Sequence, residues 1–142
     1  MKAGTALGAA DFAGTWRLTR VIADALGPDG KFAGRAVLDP AGPGRLDYRE
    51  AGTLTLAGGG TFQAERRYRW IFEGARVAVS FADGRPFHAF RPEGAGAGTD
   101  HPCGDDLYRV TVDFTAWPEW RTVWRVTGPR KDYRMESLYR PA

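Results

Sequence analysis

The chain has 142 residues and a mass of 15.6 kDa, enough for one domain with a real core (residues 1–142 read as a single unit) and too short for two. Its 43% hydrophobic, 13% aromatic and 26% charged residues exclude a disordered chain, and no apolar run approaches the ~20 residues of a membrane-spanning helix. A net charge of +3, with acids interspersed among 17 Arg and 3 Lys, argues against a nucleic-acid surface, which would concentrate its positive charge on one face.

In chain order, the first ten residues carry one lysine and no continuous apolar stretch of signal-peptide length, so no secretory leader is expected. The single cysteine cannot form an internal disulfide, which points to a reducing, cytoplasmic compartment. A short helical turn is expected at residues 8–12. Clusters of Gly and Pro then divide the chain into segments rich in Val, Thr, Phe, Tyr and Trp: 15–23, 32–39, 45–57, 61–72, 75–82, 85–91, 107–114, 120–127 and 133–140. Each alternates with period two, as a strand with one buried face does. About nine such strands with hairpin-sized connections predict an all-β, single antiparallel up-and-down barrel.

Turn chemistry sets an expected register. A Glu73-Gly74 loop pairs Trp70 with Val77 and Tyr68 with Val79. An Asp83-Gly84 loop pairs Val79 with His88, Phe81 with Pro86 and Val77 with Phe90. A Gly58-Gly59-Gly60 loop pairs Glu50 with Tyr68, Gly52 with Arg66 and Tyr48 with Trp70. All three put one apolar face inside. They also put Glu50, Tyr68, Val79 and His88 in one inward row, with Gly52, Arg66, Phe81 and Pro86 beside it. A carboxylate, a guanidinium, a phenol and an imidazole are costly in a barrel interior unless paired, wetted or facing a ligand. Arg66 lies diagonally from Glu50 in this register, within reach of a charge-assisted pair, and Gly52 opposite it leaves room for the guanidinium.

Alternation extends the lining to Trp16, Leu18, Arg20 and Ile22, to Tyr108 and Val110, to Trp120, Thr122 and Trp124, and to Tyr133, Met135, Ser137 and Tyr139. Such a surface, mostly aromatic with a few directed polar groups, is that of a small-molecule cavity. The candidate binding residues are Arg20, Tyr48, Glu50, Arg66, Tyr68, Trp70, His88, Tyr108, Trp124, Tyr133 and Ser137. Arg66, helped by Arg20, would take a carboxylate or phosphate, and Tyr68 or His88 would direct a hydrogen bond. The bland alternative is a self-satisfied buried network; the enzymatic one uses His88, Glu50 and Tyr68 for proton transfer.

Residues 91–106 form the longest connection and end in His101, Cys103, Asp105 and Asp106, placed at the mouth. These groups suggest a metal or an activated thiol, but the paired Cys-Xaa-Xaa-Cys spacing of structural zinc sites is missing, and a turn shaped by Pro102 and Gly104 and capped by Asp105 or Asp106 explains them better. The basic-aromatic stretches 66–70 and 120–125 would lose any exposed stacking face to strand alternation. No cofactor is required. The expected partner is a small organic ligand, with no nucleic acid and no membrane, on a monomer or homodimer.

The Gly14-Thr15-Trp16 triplet ahead of an up-and-down strand series resembles the calycin superfamily of lipocalins, fatty-acid-binding proteins and nitrobindins. That likeness implies a Trp16 that plugs the closed end, covered by a basic residue of the last strand, Arg140 or Arg134. It also raises haem bound through His88 or His101, as in nitrobindin-like barrels. Only a short turn at residues 24–31 stands where fatty-acid-binding proteins carry a helical lid, which argues against a long-chain lipid. Through Gly14-Thr15-Trp16, Asp83-Gly84-Arg85-Pro86-Phe87-His88, His101-Pro102-Cys103-Gly104-Asp105-Asp106-Leu107-Tyr108 and Gly128-Pro129-Arg130-Lys131-Asp132-Tyr133, the whole chain resembles short bacterial proteins grouped as domain of unknown function family 6314, for which no activity is implied.

Overall fold

The computed structural model describes residues 6–142; residues 1–5, half of the segment read for a leader, lie outside the described residues. A one-turn helix α1 (Ala9–Phe12) precedes β1 (Gly14–Asp24), β2 (Gly30–Pro40), β3 (Arg45–Leu56), β4 (Thr61–Glu73), β5 (Arg76–Phe81) and β6 (Pro86–Phe90). There follow β7 (Ala95–Ala97), β8 (His101–Cys103), β9 (Asp106–Asp113), β10 (Trp120–Gly128) and β11 (Lys131–Pro141). The sheet runs β6-β5-β4-β3-β2-β1-β11-β10-β9-β7, with β8 also on β9 and every pairing antiparallel. This is the expected all-β barrel, nearly closed. Among the described residues it has eleven strands rather than nine because the connection at 91–106 contains β7 and β8. Their sequences, AGA and HPC, lack the β-branched residues and the alternation that announce a strand. Among the described residues no helix is long and apolar enough to cross a membrane.

The closed end is an aromatic plug. The Gly8 amide donates to the Asp11 carboxylate at 2.7 Å, fixing the turn that drives Phe12 inward. Phe12 meets Trp70, Phe72, Phe114, Trp117 and Trp120, mostly edge-to-face, an arrangement favoured by the ring quadrupoles. Trp16 donates its indole N–H to the Phe12 carbonyl at 2.8 Å, so the expected plug is in place. Its expected cover is not. Arg140 is exposed and bonds Glu119 at 2.9 Å, and Arg134 is exposed beside Glu136; the rings of Trp117 and Trp120 pack on Trp16 instead.

The inside face is as expected, but two hairpins are displaced by two residues. Tyr48 opposes Tyr68, Glu50 opposes Arg66 and Gly52 opposes Ala64; Tyr68 opposes Phe81 and Trp70 opposes Val79. A shift of two preserves side-chain parity, which is why the buried face survives while the rows change. The cause lies in the turns: Glu73 and Arg76 still pair, leaving Gly74 (φ 58°) and Ala75 as the loop, and at the other hairpin the Leu56 amide bonds back to the Gly60 carbonyl. The pairs Val79–His88 and Val77–Phe90 match expectation. Phe81 does not reach Pro86, because a bulge between Val79 and Ser80 shifts the ladder and Ser80 faces Pro86. Gly52 faces Gly34 rather than Arg66, and a Cβ on either would strike the other strand's backbone at 2.1–2.3 Å. The missing side chains thus let β2 and β3 approach closely rather than making room for Arg66.

No ladder joins β6 to β9, and one peptide strip bridges that seam. The Gly98 amide donates to the Val110 carbonyl on β9, the Thr99 amide donates to the Ala89 carbonyl on β6, and Thr99 Oγ1 accepts the Ala89 amide at 2.8 Å. A Cβ on Gly98 would lie 2.8 Å from the Ala89 carbonyl oxygen and 2.6 Å from Val110 Cγ1. Gly98→Ala is therefore expected to part the seam and lower stability by about 1–3 kcal/mol, read as a lower urea midpoint with a cooperative transition retained.

Candidate functional site

The barrel encloses a cavity of about 740 Å³ that opens at the end opposite Phe12. Of the eleven candidate binding residues, ten line it; Ser137 does not, being fully buried behind Arg20. The polar side of the cavity is a closed network. Arg20, on β1, reaches over the ring of Phe32 and makes a two-pronged ion pair with Glu50 of β3 at 2.7 and 3.0 Å. Its Nε donates to Ser137 Oγ at 2.7 Å. The Tyr48 hydroxyl donates to Glu50 Oε1 at 2.7 Å and lies 2.7 Å from the Tyr139 hydroxyl, which donates to it in turn. Glu50 is 2% exposed and Arg20 7%, so neither charge is left for a ligand.

Two expectations are corrected here. The partner of Glu50 is Arg20, not Arg66, although Arg66 stands directly opposite Glu50 in the β3–β4 ladder. Arg20 consequently does not help Arg66 with an anion. Burial opposes the Glu50 charge, but the Arg20 bonds and the Tyr48 hydroxyl outweigh it and hold its carboxyl below the usual range. Burial, with the Glu50 charge beside it, pushes Tyr139 up to about 12 and Tyr48 upward as well.

The opposite wall is aromatic and holds His88. The expected single row of Glu50 and His88 is absent: His88 pairs with Val79, which pairs with Trp70 and on to Leu46, two inward positions below Glu50. The imidazole sits edge-to-face against Phe87 and Trp124 at 4.8 Å each, and its Nδ1 is buried without a hydrogen-bond partner. Burial, with a smaller push from His101, lowers its pKa to about 3. His88 is therefore neutral at ordinary pH. Phe87 escaped the sequence reading because strict alternation turns it outward; the β5–β6 bulge sends both Phe87 and His88 to the cavity.

At the rim stand Arg66, Tyr68, Tyr108 and Tyr133, together with His101 and Cys103 of β8. Arg66 is exposed and, alone among the lining arginines, has no ion-pair partner among the described residues; Arg85 is held by Asp83 at 2.8 Å. Burial raises the Tyr68 phenol against the pull of the neighbouring Arg66. Of the expected mouth group, His101 packs on Phe87 at 5.0 Å and Cys103 is a free, exposed thiol. Asp105 and Asp106 are not in the lining: Asp105 is exposed, and Asp106 pairs with Lys131 at 3.0 Å. Among the described residues no three His, Cys, Asp or Glu side chains converge as metal ligands. In the basic-aromatic stretches Arg67, Arg121 and Arg125 face outward while Trp70, Trp120 and Trp124 line the cavity.

Two stability measurements check this geometry. Arg20→Met, which strands the Glu50 charge, is expected to cost about 3–5 kcal/mol in urea unfolding, and adding Glu50→Leu to recover part of the loss. For His88, the unfolded imidazole takes a proton below pH 6.5 whereas the folded one resists until about 3, so stability is full above 6.5 and falls as pH drops through that window. His88→Leu is expected to remove that share of the slope, up to about 1.4 kcal/mol per pH unit, in urea titrations between pH 6.5 and 4.5.

Comparison with solved structures supports the fold. The S-type phycobiliprotein lyase CpeS of Guillardia theta superposes with a TM-score of 0.63 at 8% identity, over 92% of this chain and 87% of that one. A protein of unknown function from the DUF3598 family of Nostoc punctiforme PCC 73102 gives 0.58 at 15% identity, over 94% of this chain, which spans only 48% of that protein. At such identities the likeness is one of fold. A search of curated protein sequences finds no match. A family model does match, across residues 12–141 and so nearly the whole barrel, and the chain belongs to that family, the family of unknown function DUF6314.

Proposed function

We propose that this barrel binds a small organic molecule whose apolar, ring-bearing body occupies the aromatic cavity and whose anionic or polar group meets Arg66 at the rim. The observation that carries the reading is a contrast inside one cavity: Arg20 and Glu50 neutralise each other at the wall, while Arg66 faces the same space with no carboxylate of its own. A guanidinium beside the Tyr68 phenol is a natural receptor for a carboxylate, sulfonate or phosphate. A cavity of this size accommodates a molecule of two or three rings. One barrel of the same fold is a phycobiliprotein lyase, which keeps an enzyme as the second reading. The proton-transfer set named for it is poorly poised: His88 is neutral with a pKa of about 3, Glu50 is tied to Arg20, and Tyr68 is raised. Binding without turnover is the better account.

Two fluorescent probes that differ by a sulfonate group test it. 1-Anilinonaphthalene-8-sulfonate is expected to bind at one site per chain and quench the cavity tryptophans, more tightly than N-phenyl-1-naphthylamine, which lacks the sulfonate. Arg66→Gln is expected to weaken the sulfonate probe roughly tenfold and leave the neutral one unchanged. Absence of saturable binding by either probe refutes the reading.

A further inference from the structure

Phe87 holds an unusual place at the mouth. It belongs to β6, the outermost strand on its side of the seam, and the bulge opposite Val79 and Ser80 turns it across the opening rather than outward. Its ring stacks on Phe81 of β5 at 4.6 Å and 19° and on Trp124 of β10 at 5.0 Å and 9°. Among the described residues Phe81 and Trp124 make no ring contact with each other, so Phe87 is the leaf between two near-parallel faces from either side of the seam. The slot between those faces is one ring thick.

Beneath it lies the unpartnered imidazole. Phe87 and His88 meet edge-to-face at 4.8 Å, and His88 also abuts Trp124, so the Phe87 ring roofs a cavity-lining histidine whose Nδ1 is buried without a hydrogen bond. A buried polar atom without a partner is a standing cost, relieved when something brings it a hydrogen bond. Phe87 is only partly buried and sits one residue from the start of its strand, beyond the residues 98–99 that tie β6 to the rest of the barrel. Swinging it outward breaks ring contacts but no hydrogen bond of its side chain.

From this geometry we infer that Phe87 stands in for the ligand: the natural ligand is a flat aromatic or heteroaromatic acid whose ring replaces Phe87 between Phe81 and Trp124 and presents a hydrogen-bonding edge to His88. The inference rests on the cavity reading above and narrows its ligand class from ring-bearing to planar. It also assigns Phe87 a sign. A wall residue contributes to affinity, so truncating it weakens binding; a residue that occupies the ligand's place competes, so truncating it strengthens binding.

Calorimetric titrations with 2-naphthoate and adamantane-1-carboxylate separate the two, since these acids share a headgroup and differ in being flat or globular. The wild-type protein is expected to prefer 2-naphthoate, and Phe87→Ala to raise its affinity about tenfold while leaving the cage acid nearly unchanged. Phe87→Leu removes the stacking face but keeps apolar bulk, and is expected to act in the same direction if the alanine variant unfolds. The His88 ring-proton resonance is expected to shift on adding 2-naphthoate. Unchanged or weaker naphthoate binding in a cooperatively melting Phe87 variant overturns the inference, as does an equal gain for the cage acid or an unmoved His88 resonance. If the anilinonaphthalene sulfonate still binds in those cases, the cavity reading stands and only the planar slot falls. If it binds to no form of the protein, both fall.

Discussion

The ion pair between Arg20 and Glu50 is the constraint on which the cavity depends. Two full charges inside a barrel are tolerable only when each finds its complement at good geometry, and here the guanidinium fork meets both carboxylate oxygens. Ser137 takes the Nε–H, the Tyr48 hydroxyl bonds Glu50, and Tyr139 bonds Tyr48. The network joins β1, β3 and β11, so it pins the sheet on the side away from the seam. It also divides the interior chemically. With these five residues bonded to one another, what still faces the cavity with unmet capacity among the described residues is Arg66 at the rim, without an ion-pair partner, and two buried ring nitrogens, His88 Nδ1 and Trp120 Nε1.

The seam makes the other side adaptable. Where β1 through β4 pair along long ladders, β6 has only a few paired residues on β5, a bulge, and a two-residue strip that ties it to β9. Edge segments with few hydrogen bonds open at low free energy. The well-paired half of the barrel therefore holds the buried ion pair, and the seam side carries Phe81, Phe87 and His88. At the mouth the seam side presents Phe81 of β5, Phe87 of β6 and His101 of β8, and the well-paired side presents Arg66 and Tyr68 of β4.

Much of this was legible in the sequence, and the failures have physical causes. Alternation identifies the inward face of every long strand, because burial on one side of a sheet imposes period two. Hence Arg20, Tyr48, Glu50, Tyr68, Trp70 and His88 are all recovered as cavity residues. Register was less legible: Glu73-Gly74 and Gly74-Ala75 are both plausible two-residue loops, and the difference is two places on the partner strand. A like slip at the Gly58-Gly59-Gly60 hairpin put Arg66 diagonal to Glu50 where the ladder sets it directly opposite, and Arg20 stayed concealed as the true partner because β1 had no turn linking its register to β3. The bulge at Phe87 leaves no mark in local composition. The plug at the closed end was read for Trp16 alone, whereas its other half is Phe12, brought in by a helix too short to show periodicity.

These errors bear on the choice between binding and catalysis. With Glu50, Tyr68 and His88 in one inward row, as the expected register had them, a carboxylate, a phenol and an imidazole make a proton-transfer set. In the barrel they stand two inward positions apart, on different walls, each specialised by its surroundings: the carboxylate is kept ionised by Arg20 and the imidazole is kept neutral by aromatic burial. An acid-base catalyst needs a group that exchanges its proton near the working pH. A receptor needs the opposite, donors and acceptors whose protonation does not drift, set in walls that shape the ligand. His88 among rings, with an unfilled nitrogen and a pKa far below neutrality, meets the second requirement and fails the first.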